Sequence, residues 1–95
     1  MVYISRLRWD DWNRAHIARH DVTRDEAEEV CHGPYIDGEA NKGRIILIGP
    51  TATGRMLAVI LDPEPEPGVY YPVSARPASR KERRQYQEAK GCEQQ

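Results

Sequence analysis

Arg76, Arg80, Arg83, Arg84 and Gln87 recur every three or four residues, so on a helix they form one stripe. Arg83 and Arg84 are neighbours, and only one of them can lie at its centre. A guanidinium donates two parallel hydrogen bonds to phosphate oxygens, so such a stripe beside the phenol of Tyr86 suits a phosphodiester backbone. Arg44 and Arg55 open two successive strand candidates and, in a hairpin, fall at its opposite ends. His20 ends an early helix, where the dipole favours imidazolium and the ring can give or take a proton near neutral pH. His16 and His20 have the i, i+4 spacing of a metal clamp, but no Glu stands between them as in zinc proteases. Only Cys31-His32 offers a third ligand, so packed or hydrogen-bonded histidines and no metal are expected. Gly49 to Gly54 is Gly-rich but lacks the Lys-Ser/Thr of a phosphate loop, and it reads as a turn. A nucleophile elbow and a dinucleotide fingerprint are both absent from the sequence.

The elements that must position these groups can be read from period and capping. Tyr3 to Arg8 alternates like a short strand. Asp10 caps a helix to about His20, with Trp12, Ala15, His16 and Arg19 spaced for a core-facing side. Thr23-Arg24-Asp25-Glu26 is a capping box, with Val22 and Ala27 placed as a hydrophobic staple, and Gly33-Pro34 stops that helix. From Tyr35 the period changes to two. Tyr35 to Ala40, Arg44 to Gly49, Arg55 to Asp62 and Val69 to Ala75 read as strands, with a turn at Asn41-Lys42-Gly43 and a hairpin loop at Pro50 to Gly54. Ile45 to Ile48 and Met56 to Leu61 are continuously apolar, which calls for cover on both faces of the sheet. Pro72 cannot donate to a ladder, so its strand lies at an edge or is bonded on one side there. Ser79-Arg80-Lys81-Glu82 is a second capping box, opening a helix to about Lys90. That helix has only Ala78, Tyr86 and Ala89 to dock with.

The expected fold class is therefore α+β: two N-terminal helices packed on a short antiparallel β-sheet, with a basic C-terminal helix. Ninety-five residues make one domain, with a core over about residues 3–90 and a tail at 91–95. Six apolar residues in the longest run are too few to span a membrane, and no secretory leader is expected from Met1 to Asp10. Two cysteines, Cys31 and Cys92, make no disulfide framework and read as free thiols in a reducing cytoplasm. The net charge of -1 argues against a generic polyanion binder, but its distribution is uneven. Residues 1–75 carry -4 and residues 76–95 carry +3, which places a local basic surface on an acidic body.

Trp9-Asp10, Arg19-His20-Asp21-Val22, Glu26-Ala27, Arg44-Ile45-Ile46-Leu47-Ile48-Gly49, Gly54-Arg55, Val73-Ser74-Ala75-Arg76 and Glu82-Arg83-Arg84-Gln85-Tyr86 together resemble the BrnT family of bacterial toxins. The resemblance runs in order from about residue 7 to 88, and Ser-Ala-Arg followed by Glu-Arg-Arg-x-Tyr is its most specific part. The family usually has Lys-His-Gly-Val at Arg19-His20-Asp21-Val22, an Asn at His16, and often an Arg at Tyr71. It also tends to be acidic where this chain has Asn41-Lys42-Gly43. The resemblance implies a RelE-like ribonuclease fold and the toxin of a type II toxin-antitoxin system. It further implies metal-independent cleavage of RNA with no cofactor. The implied partner is a cognate antitoxin encoded nearby that blocks the toxin and carries it to operator DNA.

Three functional expectations follow. In the first the chain is an endoribonuclease with His20 as base or acid, Arg44 and Arg76 as phosphate stabilisers, and Tyr86 orienting or stacking on the substrate. Arg55, Arg80, Arg83 and Arg84 then bind RNA. In the second it is a non-catalytic, degenerate toxin-like module that binds RNA or a partner protein, and in the third a structural interaction protein whose basic helix docks an acidic partner.

Overall fold

The computed structural model describes residues 2–91. The chain runs β1 (Arg6–Leu7), α1 (Asp11–Ala18), α2 (Arg24–Cys31), β2 (Ile36–Glu39), a short 3-10 turn (Asn41–Gly43), β3 (Ile45–Pro50), β4 (Met56–Pro63), β5 (Val69–Pro77) and α3 (Arg80–Gly91). The class is α+β, with three helices on a five-stranded sheet of order β1-β5-β4-β3-β2. The sheet is not wholly antiparallel. β1 pairs parallel with β5, through Arg6↔Val69 and Leu7↔Tyr70, while β2 to β5 pair antiparallel. Alternation over Tyr3 to Arg8 could not show this, because it says nothing of strand direction. Only two of those residues join the ladder.

The capping chemistry is realised. Asp10 accepts from the amide of Asn13, and the Asn13 side chain accepts from the amide of Asp10. Thr23 and Glu26 exchange the same pair of bonds at the start of α2. Ser79 and Glu82 exchange them at the start of α3. Between α1 and α2 the chain turns at Asp21, whose φ of 61° lies in the left-handed region. Asp tolerates that region better than most residues, and Gly best of all. α1 ends at Ala18, earlier than His20, because this turn begins there.

The face of α1 that packs inward is not the one expected. Asn13 and Ile17 are the buried residues of α1, whereas Trp12, Ala15 and Arg19 are exposed and His16 is half-buried. A fully buried asparagine escapes a hydrophobic count. Its amide is satisfied by the carbonyl of Arg8 and by its capping role.

Neighbouring residues of β3 and β4 point to opposite faces, and so build two cores. On one face Leu47, Leu57, Val59, Leu61 and Ala75 meet Ile17 of α1, Val22, and Ala27, Val30 and Cys31 of α2. On the other face Ile48 and Ala58 meet Ala78 at the foot of α3, flanked by Ile36, Ile46, Met56 and Tyr86. The continuous apolar runs thus have helices on both sides, but α3 covers only part of its face. Ile46 and Ile60 remain partly exposed there.

β5 is interior to the sheet, yet Pro72 costs no ladder bond. β1 reaches only Val69 and Tyr70, so Pro72 has a neighbour on the β4 side alone. A register shift between Ile60 and Leu61 lets β5 pass from Ser74 to Pro72 at that point. Gly68 turns the chain into β5 with φ of 84°, and a Cβ there would lie 2.9 Å from Cβ of Ser5. A glycine is what allows β1 to come so close.

Candidate functional site

The sheet divides the expected site residues. Arg44 immediately precedes β3 and shares the parity of Ile46 and Ile48. Arg76 is in register with Ala58. Both therefore belong to the α3 face of the sheet, where Tyr86 also packs. Two strand spacings and four residues separate Arg44 from Arg76, roughly 16 Å at the backbone from strand spacing and rise. His20 follows α1 on the opposite face. The structure does not bring His20 together with Arg44, Arg76 and Tyr86.

Arg44 has the most unspent hydrogen-bonding capacity of this group. Its Nε is 4.0 Å from Oδ2 of Asp62, an ion pair without a hydrogen bond. Among the described residues this Nε is the buried side-chain nitrogen left without a hydrogen-bond partner. The Arg44 side chain keeps 32% of its surface exposed, although this Nε is itself buried.

Arg76 is engaged. Its Nη1 and Nη2 donate to Oε1 and Oε2 of Glu82 at 2.7 and 2.9 Å, a bidentate pair. The Arg76 guanidinium, helped by the amide and hydroxyl of Ser79, holds the Glu82 carboxyl down at about 2 despite opposing desolvation. Glu82 in turn raises the affinity of Arg76 for its proton. This pair latches the start of α3 to β5.

Tyr86 is also a fastening. Its hydroxyl donates to the carbonyl of Pro34 at 2.7 Å, tying the middle of α3 to the turn after α2. Arg83 donates to the carbonyl of Ala78, closing the first turn of its own helix. Arg80 and Arg84 are exposed, and among the described residues neither has a carboxylate partner in an ion pair.

Arg55 does not belong to this surface. Its Nη1 donates to both carboxylate oxygens of Glu26 at 3.0 and 3.1 Å and to the carbonyl of Asp21 at 2.6 Å. It is a strut between the β3–β4 hairpin and the start of α2. The Glu26 carboxyl is held below its ordinary range, first by the amide of Thr23 and then by Arg55.

His20 is exposed and stands edge-on to His16, with ring centroids 6.0 Å apart. His16 is stacked on Trp12 at 4.8 Å with only 7° between the planes. The sequence reading missed this column. The i, i+4 spacing of His16 and His20 is legible in the sequence, but Trp12 reads there as core-facing through its helical spacing with Ala15, His16 and Arg19. Cys31 is buried, and desolvation pushes its thiol up to about 12, so it is no nucleophile. Cys92, the other expected free thiol, lies outside the described residues.

A groove of about 420 Å³ runs between β2 and α3, with Ile36, Ile46 and Ile48 as its floor and Gln85 beside them, while the register of Asp37 with Leu47 and of Glu39 with Ile45 turns those two side chains to the other face. Among the described residues no three His, Cys, Asp or Glu side chains gather to hold a metal, and no helix is long and apolar enough to cross a membrane. No protein-family model and no curated protein matches this chain.

Proposed function

We propose that the chain is a BrnT-like, RelE-like toxin of a type II toxin-antitoxin pair, and that it acts on RNA at the half-covered face of the sheet. The observation that carries this reading is Arg44: a partly exposed guanidinium with an unpartnered Nε on the same face of the sheet as α3, the helix that displays Arg80 and Arg84. In the proposed reaction Arg44 stabilises the charge that develops on the phosphoryl oxygens. Asp62 beside it takes the proton of a ribose 2′-hydroxyl. The 2′-oxygen attacks the adjacent phosphorus, a 2′,3′-cyclic phosphate forms, and the 5′-oxygen leaves with a proton from water. Arg80 and Arg84 supply phosphate contacts that position the strand. His20 has no part in this site, which revises the role expected from sequence. The groove beside β2, with its apolar floor of Ile36, Ile46 and Ile48, offers the cognate antitoxin a place for an apolar docking segment.

A second reading, binding without cleavage, is favoured by one specific feature. Arg76 and Tyr86, expected to touch substrate, already spend their polar atoms on Glu82 and Pro34. Incubation of structured and unstructured RNA with the protein in EDTA separates the two. Products ending in 2′,3′-cyclic phosphate, lost in Arg44→Ala, support cleavage. Salt-dependent binding without products, weakened by Arg80→Glu, supports the module that only binds. Absence of both at low salt overturns the proposal.

A further inference from the structure

α1 carries a second surface that the cleavage site does not use. Trp12 and His16 lie four residues apart on its outer side, and His20 follows four residues on in the turn after α1, on the face of the sheet away from α3. Trp12 is 57% exposed, unusual for the largest apolar side chain, and Val22, Ala27 and Val30 close the adjoining core without it. His16 stacks nearly parallel on the indole and His20 meets His16 edge-on. The rings hold one another in place, so little freedom remains to be lost when a further ring joins the stack. Arg19 shares this face and is exposed, and among the described residues it has no carboxylate partner in an ion pair.

A flat ring with a π face, attached to an anionic chain, fits this pattern on both counts. Bases of single-stranded nucleic acid stack on exposed aromatic side chains, while a neighbouring cation meets the phosphate. We propose that the Trp12–His16–His20 column is a stacking platform for an unpaired base of single-stranded RNA, with Arg19 on the adjoining phosphate. This inference rests on the RNA reading above but assigns a different surface, on the other side of the sheet from Arg44. It gives His20 the role of a binding residue. It also accounts for the exposure of Trp12, which the fold alone does not require.

The test is a titration of oligoadenylate, and of an abasic oligomer of equal length, followed by tryptophan fluorescence and by anisotropy of an end label. The parent protein is expected to bind oligoadenylate about tenfold more tightly than the abasic oligomer, the usual scale for one stacked base, with quenching of Trp12. Trp12→Ala should abolish both the preference and the quenching while leaving abasic binding unchanged. Trp12→Phe, which restores a ring, should recover part of the preference. Because Trp12 is exposed, neither change threatens folding. Equal affinity of the parent for the two oligomers, or of Trp12→Ala and the parent for oligoadenylate, overturns the platform. The two proposals fail separately. Cleavage that depends on Arg44 with no base preference sinks only the platform. Base preference without cleavage sinks only the catalytic site.

Discussion

The two faces of the sheet are held by different physics. On the α1–α2 face, side chains such as Ile17, Leu47, Val59 and Val30 are sealed from water, and the contacts are apolar and shared among many residues. On the α3 face the buried apolar cluster is small: Ile48, Ala58 and Ala78. What fixes α3 is a set of directional polar bonds, from Arg76 to Glu82, between Glu82 and Ser79, and from Tyr86 to Pro34. A helix with so little apolar surface keeps its arginines in solvent and can be adjusted without breaking the main core. The difference teaches that stability and the proposed working surface are largely separate in this molecule.

Core truncation should have the largest effect. Leu47→Ala removes a fully buried side chain between α2 and the sheet and should cost about 2–5 kcal/mol of global stability in urea titration. A loss below about 1 kcal/mol would mean that this face is not the main core. Next comes Glu82→Ala, which removes the bidentate pair and the cap together. Amide exchange in residues 80–91 should accelerate by roughly ten- to a hundredfold, as expected for losing about 1.5–3 kcal/mol of charge-assisted bonding. The global urea midpoint should move little. An equal loss across the whole chain would erase the distinction between the faces.

Acid should reproduce the second effect. The Glu82 carboxyl is held at about 2, against an ordinary value of 4.5. Its contribution is therefore fully present above about 4.5, and is lost as pH falls through the folded value near 2. Exchange of α3 amides, followed downwards from pH 5, should rise relative to those of β4 in the parent and stay flat in Glu82→Gln. The smallest contrast concerns caps. Thr23→Ala and Ser79→Ala each remove a bond worth about 1 kcal/mol. The first should lower global stability and the second only fray α3, as read by urea midpoints against helix-specific exchange.

Much of this contrast was written locally. All three helix starts are legible because each cap needs only residues three apart, as in Thr23 and Glu26 or Ser79 and Glu82. The change of period at Tyr35 marked the sheet because alternation is a local property too. What stayed hidden depends on partners distant in sequence. The parallel pairing of β1 with β5 joins Arg6 to Val69. The true inner side of α1 is set by a buried Asn13 whose amide bonds Arg8, which residue type argues against. For the site, the arginine stripe of α3 was visible as spacing. The capture of Arg55 by Glu26 and of Tyr86 by Pro34 was not, because each bond spans tens of residues. His20 was separated from Arg44 and Arg76 for the same reason: the sheet lies between them, and only the topology says so.

The most direct measurement of the central claim is kcat for RNA cleavage in EDTA at saturating RNA, for the parent, Arg44→Ala and His20→Ala. Placing the chemistry on the α3 face predicts that Arg44→Ala loses about a hundredfold or more. His20→Ala should stay within about twofold of the parent, since a stacking contact affects binding rather than turnover. Cleavage abolished in His20→Ala and intact in Arg44→Ala would contradict the account and return the reaction to the other side of the sheet.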